Sequence, residues 1–353
     1  VAEWQNKYQE LDETHCPFPL LCGWKGEGDE AYPSPPIGRE ERCEVERALG
    51  KNRQICQNEF CGSKGQRPTR RHRMNVGVFL LIEPFASVEE QLKRAKAMGF
   101  DHADITDTNA GGSMLGTAGF SPTVSLDENP FEVKRLFEKY DIIPSTVCAH
   151  AGLLEPSNPG VFGTAEIMKA VRFAAAIGIE DVITTDTDPR SEWAESLSYE
   201  ERIFIMAEKL YTPVKMAADY GVRILLEPHG PVTDSIQGLQ DVFDRLGNPR
   251  SLGVNLDTGN SWLGGADPVE MAKVFKDKIH HVHWKDLEAE WEPKRGTLYG
   301  CGFSTIALGD GVVDIKGVCD VLRDGPAKSS TLEIVGTEDI LKRSVDYLRS
   351  CGL

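Results

Sequence analysis

The sequence predicts a (β/α)8 TIM barrel preceded by an irregular N-terminal extension, and three observations predict it. From Met74 onward, short apolar runs alternate with helical patterns eight times, and such a barrel typically takes about 250 residues. Four of the later runs end in a residue of metal-ligand type: Ile224-Leu225-Leu226-Glu227, Gly253-Val254-Asn255-Leu256-Asp257, Ile279-His280-His281-Val282-His283 and Ser330-Thr331-Leu332-Glu333. Parallel strands deliver chemistry into one site from their C-terminal ends. Finally, the first run is followed by Glu83-Pro84-Phe85-Ala86-Ser87 and not by a glycine-rich phosphate turn. That argues against the runner-up fold, a doubly wound nucleotide-binding sheet.

Each element has its own local signal. Residues 76–82 read as the first strand, and Ser87 with Glu90 forms a capping-box pattern opening a helix that Gly99 stops. A second strand covers 102–105; Asn129-Pro130 then supplies a cap and first-turn proline for a helix through Tyr140. Residues 142–149 form the third strand, and 164–177 its helix, with Ile167, Val171 and Ala174 on one face. The fourth strand is 181–184, and Ser198 with Glu201 caps a long helix to about Tyr220. Strands five and six are 223–227 and 252–257, with a helix near 234–246 between them. Asp267-Pro268 caps the next helix, strand seven is 280–283, and its helix lies near 314–322. Strand eight, 331–335, and a helix over 338–348 close the ring. The long connections 107–128, 150–163, 185–197 and 285–312 are expected to roof a pocket, with Gly111-Gly112 as a flexible point. Trp193, Trp262, Trp284 and Trp291 lie near strand ends, where they would stack on a sugar ring or pack under a lid.

Charge narrows the partners. The 353 residues carry a net charge of -16. Acidic and basic residues balance within 1–73, so the whole excess falls on the barrel, 74–353. An acidic barrel argues against a nucleic-acid backbone or an anionic membrane surface as the main partner. No apolar run is long enough for a membrane helix, and residues 1–15 are too polar for a secretory signal. Cys148, Cys301, Cys319 and Cys351 suit a reduced, cytoplasmic protein.

The first 73 residues are rich in proline, glycine and arginine and sustain no helix or strand period. Three readings stand side by side. The segment is an irregular extension that wraps the barrel or joins a subunit contact, a non-native leader ahead of a natural start at Met74, or a small zinc module. Cys16, Cys22, Cys43, Cys56 and Cys61 are spaced more loosely than usual for the last of these.

Three carboxylates and one imidazole, Glu227, Asp257, Glu333 and His283, form the donor set expected for Mn2+, Mg2+ or Co2+. Such a centre suits proton abstraction beside a carbonyl, with Glu227 and Glu333 as base and acid. His150, His229 and Asn260 are expected to bind substrate hydroxyls or orient the ligands, and Trp262 to meet the sugar's apolar face. Asp186 would meet a hydroxyl or cap its own turn. Lys285 would contact substrate or pair with Asp286. His280 and His281, inside strand seven, are expected to serve structure. No glycine-rich anion nest is evident, which favours an unphosphorylated substrate.

At Leu226-Glu227-Pro228-His229-Gly230, Leu256-Asp257-Thr258-Gly259-Asn260, Val282-His283-Trp284-Lys285-Asp286 and Leu332-Glu333 the chain resembles the xylose-isomerase-like barrel superfamily of sugar isomerases, ketose 3-epimerases and inosose dehydratases. The resemblance covers 74–353 and implies that the four ligand candidates hold the metal and that Glu227 and Glu333 are the catalytic pair. Gly309-Asp310-Gly311 resembles the family's turn before the last helix–strand unit. The epimerases usually carry histidine near Asn260 and arginine soon after His283; here Arg295 is only a distant substitute. The set is also similar to the barrel subunits of C-glycoside deglycosidases, which act on 3-keto sugars with a small partner subunit. The resemblance thus implies a metal-dependent sugar isomerase or epimerase, or alternatively a lyase on keto sugars or keto cyclitols, and a homo-oligomer.

Overall fold

The structure, a computed structural model, describes residues 74–83, 85–107, 124–156, 162–186, 191–299 and 304–353. The expectations for the extension, for Gly111-Gly112 and for Cys301 lie outside these residues. Within the unit Arg70–Leu353, eight parallel strands close a barrel in sequence order. They are β1 (Asn75–Phe79), β2 (His102–Thr106), β3 (Ile143–Cys148), β4 (Asp181–Thr184), β5 (Arg223–Leu226), β6 (Leu252–Asp257), β7 (Ile279–Trp284) and β8 (Ser329–Leu332). Closure pairs Asn75 with Ser329 and Val78 with Leu332.

The helices on the outside are α1 (Val88–Ala97), α2 (Pro130–Lys139), α3 (Phe162–Ile177), α4 (Glu192–Ser196), α5 (Tyr199–Tyr220), α6 (Ile236–Arg245), α7 (Thr258–Leu263), α8 (Pro268–Phe275), α9 (Ile315–Leu322) and α10 (Glu338–Ser350). Their starts follow the cap chemistry in the sequence. The Ser87 side chain accepts from Glu90 N, Asn129 from Phe131 N and Asp267 from Val269 N; Ser198 and Glu201 make a complete capping box. Each of these bonds satisfies a backbone donor that the helix itself leaves free. No described helix is long and apolar enough to cross a membrane.

Strand alternation sorts the barrel residues into two layers. One face of each strand turns outward under the helices, where Val78, Ile105, Val147, Val182, Leu226, Leu256, Val282, Trp284 and Leu332 are fully buried. The interior holds a small separate apolar cluster, Phe79, Leu81, Cys148, Ile183 and Leu225. Beside it the inward positions are polar yet buried: Asp104, Thr146, Asn255, Asp257, His281, His283 and Thr331.

Some boundaries move. β1 stops at Phe79, not at 82, because Leu81 N donates back to the Phe79 carbonyl at 2.6 Å. β8 begins earlier than expected and ends at Leu332, leaving Glu333 just past the strand. Helix α7 has no periodic signal, since Thr258-Gly259-Asn260-Ser261-Trp262-Leu263 is a poor helix former. It forms because the Asp257 side chain caps it and every residue in it is buried. A 3-10 turn over Ala289–Lys294 was likewise illegible.

Candidate metal centre

Four consecutive strands place the four candidate ligands. Glu227 follows β5 directly, its N–H bonded to the Thr184 carbonyl, and Glu333 follows β8, its N–H bonded to the Trp284 carbonyl. Asp257 ends β6, and barrel register sets it opposite His283 of β7. His283 in turn stands opposite Thr331 of β8. The ligand atoms of Glu227, Asp257, His283 and Glu333 all lie within 4.8 Å of one another. Three of the residues are buried, and the Glu333 side chain is 13% exposed.

Within the cluster, His283 Nδ1 lies 2.9 Å from Glu333 Oε2 and 3.5 Å from Glu227 Oε1. Four buried atoms, Glu227 Oε2, Asp257 Oδ2, His283 Nδ1 and Glu333 Oε2, make no well-aligned hydrogen bond among the described residues, though each has a charged or titratable neighbour within 3.4 Å. Three carboxylates and an imidazole brought so close together, with poorly aligned contacts, are costly unless a cation or a proton is shared among them.

The electrostatics agree. Burial, together with the Glu333 and Glu227 carboxylates, pushes Asp257 up to about 8 despite the pull of Lys285. Burial opposes ionisation of Glu333 too, but Lys285 and His283 outweigh it and hold that carboxyl down to about 2. Burial favours a neutral His283, yet Glu227 and Asp104 hold it well above the ordinary histidine range. The cluster therefore resists its third negative charge. A divalent cation would remove that resistance, so the residues present fit one.

Lys285, which follows β7, is buried at the edge of the cluster. Its ammonium lies 3.0 Å from Asp257 Oδ2, 2.9 Å from Glu333 Oε1 and 3.0 Å from Asn260 Oδ1. A Cβ on Gly259 would sit 2.6 Å from Lys285 Cβ, so a glycine at the start of α7 lets the lysine stem pass. The expected pairing with Asp286 is not made. Asp286, pointing the other way, accepts from the N–H groups of Leu287, Gly309, Gly311 and Val313 and anchors the Gly309-Asp310-Gly311 turn. A Cβ on Gly311 would lie 2.3 Å from the Asp286 carboxylate, which explains the second glycine.

The other expected residues divide. His150 Nε2 is 3.4 Å from Glu227 Oε2, and the Asn260 side-chain N–H donates to Glu227 Oε1 at 3.3 Å. His229 is buried with its ring 6.0 Å from that of His150. Burial, reinforced by His150, pushes it down to about 4, so it is a neutral imidazole. Asp186 does not join the centre. Its buried carboxylate accepts from Val232 N, Thr233 N and the Thr233 hydroxyl and so braces the turn after β5. Arg295 spends its guanidinium on the carbonyls of Trp262 and Ala266 and stacks over the Trp262 ring at 5.2 Å. The buried Trp262 thus packs beneath Arg295, and Trp284 faces the helices; neither position matches an open sugar platform.

Sequence reasoning passed over Asp104 of β2. It is fully buried, and its Oδ2 lies 3.1 Å from His283 Nε2. The signal was present: His102-Ala103-Asp104-Ile105-Thr106 alternates so that an acid falls mid-strand on the inward face. His281 does serve structure, its ring nitrogens bonded to the hydroxyls of Ser329 and Thr331.

Comparison with known proteins gives the same family. A 3-dehydroshikimate dehydratase from Bacillus anthracis is 27% identical over 168 residues, 45% of this chain and 57% of that protein. The chain thus spans little more than half the length of that relative. The structure of a D-tagatose 3-epimerase-like protein covers 79% of this chain and 97% of its own at 19% identity, with a TM-score of 0.60. The structure of the IOLI protein with a bound zinc atom covers 79% and 98% at 15% identity, with a TM-score of 0.61. A family model described as a xylose isomerase-like TIM barrel matches residues 92–351, and the chain belongs to that family.

Proposed function

We propose that the chain is a divalent-metal-dependent isomerase or epimerase of a small, unphosphorylated carbohydrate, working by proton abstraction next to a carbonyl. The observation that carries this reading is that Glu227 Oε1 and Glu333 Oε2 lie 3.5 Å and 2.9 Å from His283 Nδ1, in one cluster with Asp257. Glu227, Asp257, His283 and Glu333 would hold the cation. The carboxylate-rich set supports Mn2+, Mg2+ or Co2+. When bound, the cation supplies Lewis-acid polarisation of the substrate carbonyl.

The chain's own groups supply the proton transfers. His150 and Asn260 brace Glu227, and Lys285 keeps Glu333 ionised, so either glutamate can act as base. One takes the proton from the carbon beside the carbonyl and leaves an enediolate. For epimerisation the second glutamate must first have taken up a proton, which it returns to the opposite face; for isomerisation the first glutamate hands the abstracted proton to the neighbouring carbon. Isomerisation also moves a proton from the neighbouring hydroxyl to the former carbonyl oxygen, so that the carbonyl changes place.

A second reading, dehydration, is favoured by the similarity to the 3-dehydroshikimate dehydratase. The same abstraction would be followed by loss of a hydroxyl group, with the Lys285 ammonium beside Glu333 to assist the departing oxygen.

Incubation in deuterium oxide with a divalent metal and free ketoses, an inosose or a 3-keto glycoside tests both readings. Deuterium beside the carbonyl together with a new epimer is the expected result. An enone product would move the chain to the dehydratases. Absence of exchange from all three substrate classes in metal-loaded protein would overturn the proton-abstraction reading.

A further inference from the structure

Asp104 Oδ2 is the meeting point of a buried hydrogen-bond network inside the barrel. It accepts from the Thr331 hydroxyl at 2.5 Å and lies 3.1 Å from His283 Nε2 and 3.3 Å from His281 Nε2. The Thr331 hydroxyl donates to this oxygen, which therefore acts as an acceptor. Thr331 has one hydroxyl proton and spends it on Asp104; it can therefore only accept from His281 Nε2 at 2.6 Å. His281 Nδ1 is then satisfied by the Ser329 hydroxyl at 2.8 Å. Across this network there is a single consistent assignment for His283: Nε2 carries the proton that faces Asp104. Its other nitrogen, Nδ1, faces Glu333 Oε2 at 2.9 Å and Glu227 Oε1 at 3.5 Å.

We propose that Asp104 is a positioning residue: through Thr331 and His281 it is fixed in place, and it holds the Nε2–H of His283 so that Nδ1 is the nitrogen presented to the carboxylate cluster. Asp104 touches none of the other three candidate ligands in the contacts described, so it acts through the histidine alone. A carboxylate behind a ligating imidazole both sets the ring's orientation and raises its donor strength. This inference rests on the reading of the cluster as a divalent-metal site. It also excludes a competing use of the same atoms, because Asp104, Cys148 and His283 could themselves enclose an ion. That use would require Nε2 without its proton and leave the Thr331–Asp104 bond without a purpose.

The test is Mn2+ affinity in the full chain with Asp104→Asn, which keeps the shape and removes the charge. A roughly 10- to 100-fold weaker affinity, with unchanged circular dichroism, is expected. A second readout needs no variant. In isotope-labelled wild-type protein loaded with Cd2+, the His283 ring should show a slowly exchanging Nε2–H and scalar coupling of the metal to Nδ1. Coupling to Nε2, or two metal ions per chain with a Cys148 thiolate charge-transfer band, would overturn the proposal. Unchanged Mn2+ affinity in Asp104→Asn would overturn it as well. Failure of the wild-type chain to bind any divalent ion would instead sink the metal reading on which it stands, so the two failures are distinct.

Discussion

Lys285→Met is the most telling single change, because it separates a charge inside the centre from the cation the centre would bind. The ammonium sits 3.0 Å from Asp257 and 2.9 Å from Glu333, and its side chain is 5% exposed. At an effective dielectric of about 20, each contact is worth roughly 5–6 kcal/mol before desolvation is counted. Much of that gross attraction is offset by burying the charges, and breaking such a pair from one side costs about 3–5 kcal/mol. Methionine fills the space of the stem but leaves two buried carboxylates uncompensated. In the metal-free protein, urea denaturation should therefore show a loss of about 3–5 kcal/mol. Saturating Mn2+ neutralises the same carboxylates and should recover much of it. By linkage, removing the competing ammonium must tighten metal binding by the free energy recovered, about tenfold for every 1.4 kcal/mol. An equal loss of stability with and without Mn2+, or weaker Mn2+ binding in the variant, would refute the view that lysine and cation share these carboxylates.

Three further outcomes are expected. Glu227→Gln and Glu333→Gln should each lower deuterium exchange into substrate by about 100- to 10,000-fold, with the fold intact by circular dichroism. Burial raises Asp186 to about 6 against its hydrogen bonds, so the folded chain holds a proton there that the unfolded chain has already lost. Its stabilising contribution is present at low pH and disappears as pH rises through that value. The stability difference between wild type and Asp186→Asn should accordingly shift against wild type by roughly 1.4 kcal/mol from about pH 5 to about pH 7 in urea titrations. Trp284→Ala should cost about 3–5 kcal/mol by the cavity it leaves under the helices, and a change below about 1 kcal/mol would contradict its buried placement.

The barrel was legible because its signals are local. Ser198 with Glu201, Asn129-Pro130 and the apolar runs each fix an element within a few residues. The ligand set was legible for a related reason: Glu227, Asp257, His283 and Glu333 each terminate or follow a run, and the architecture makes strand ends converge. What escaped is non-local. Asp104 and Thr331, 227 positions apart, meet only after closure of the ring. Lys285 and Asp286 read as an ion pair because they are neighbours, whereas residues leaving a strand point to opposite sides. Asp186 was placed near substrate by its strand-end position, but its acceptor capacity is taken up by a turn 46 residues away. Helix α7 depends on a cap from Asp257 and on burial, neither of which a propensity pattern records.

The four candidate ligands come from β5 to β8 alone, while β2 and the described residues after β3 and β4 contribute Asp104, His150 and Asp186, which brace the ligands or the turn beside them. The ring thus divides the labour: one half offers the ligand atoms and the other half supports them. Substitutions at Asp104 or His150 should therefore act through His283 or Glu227 and not by removing a candidate ligand. For laboratory evolution, this makes Asp104, His150 and Asp186 positions to protect together with the four candidate ligands.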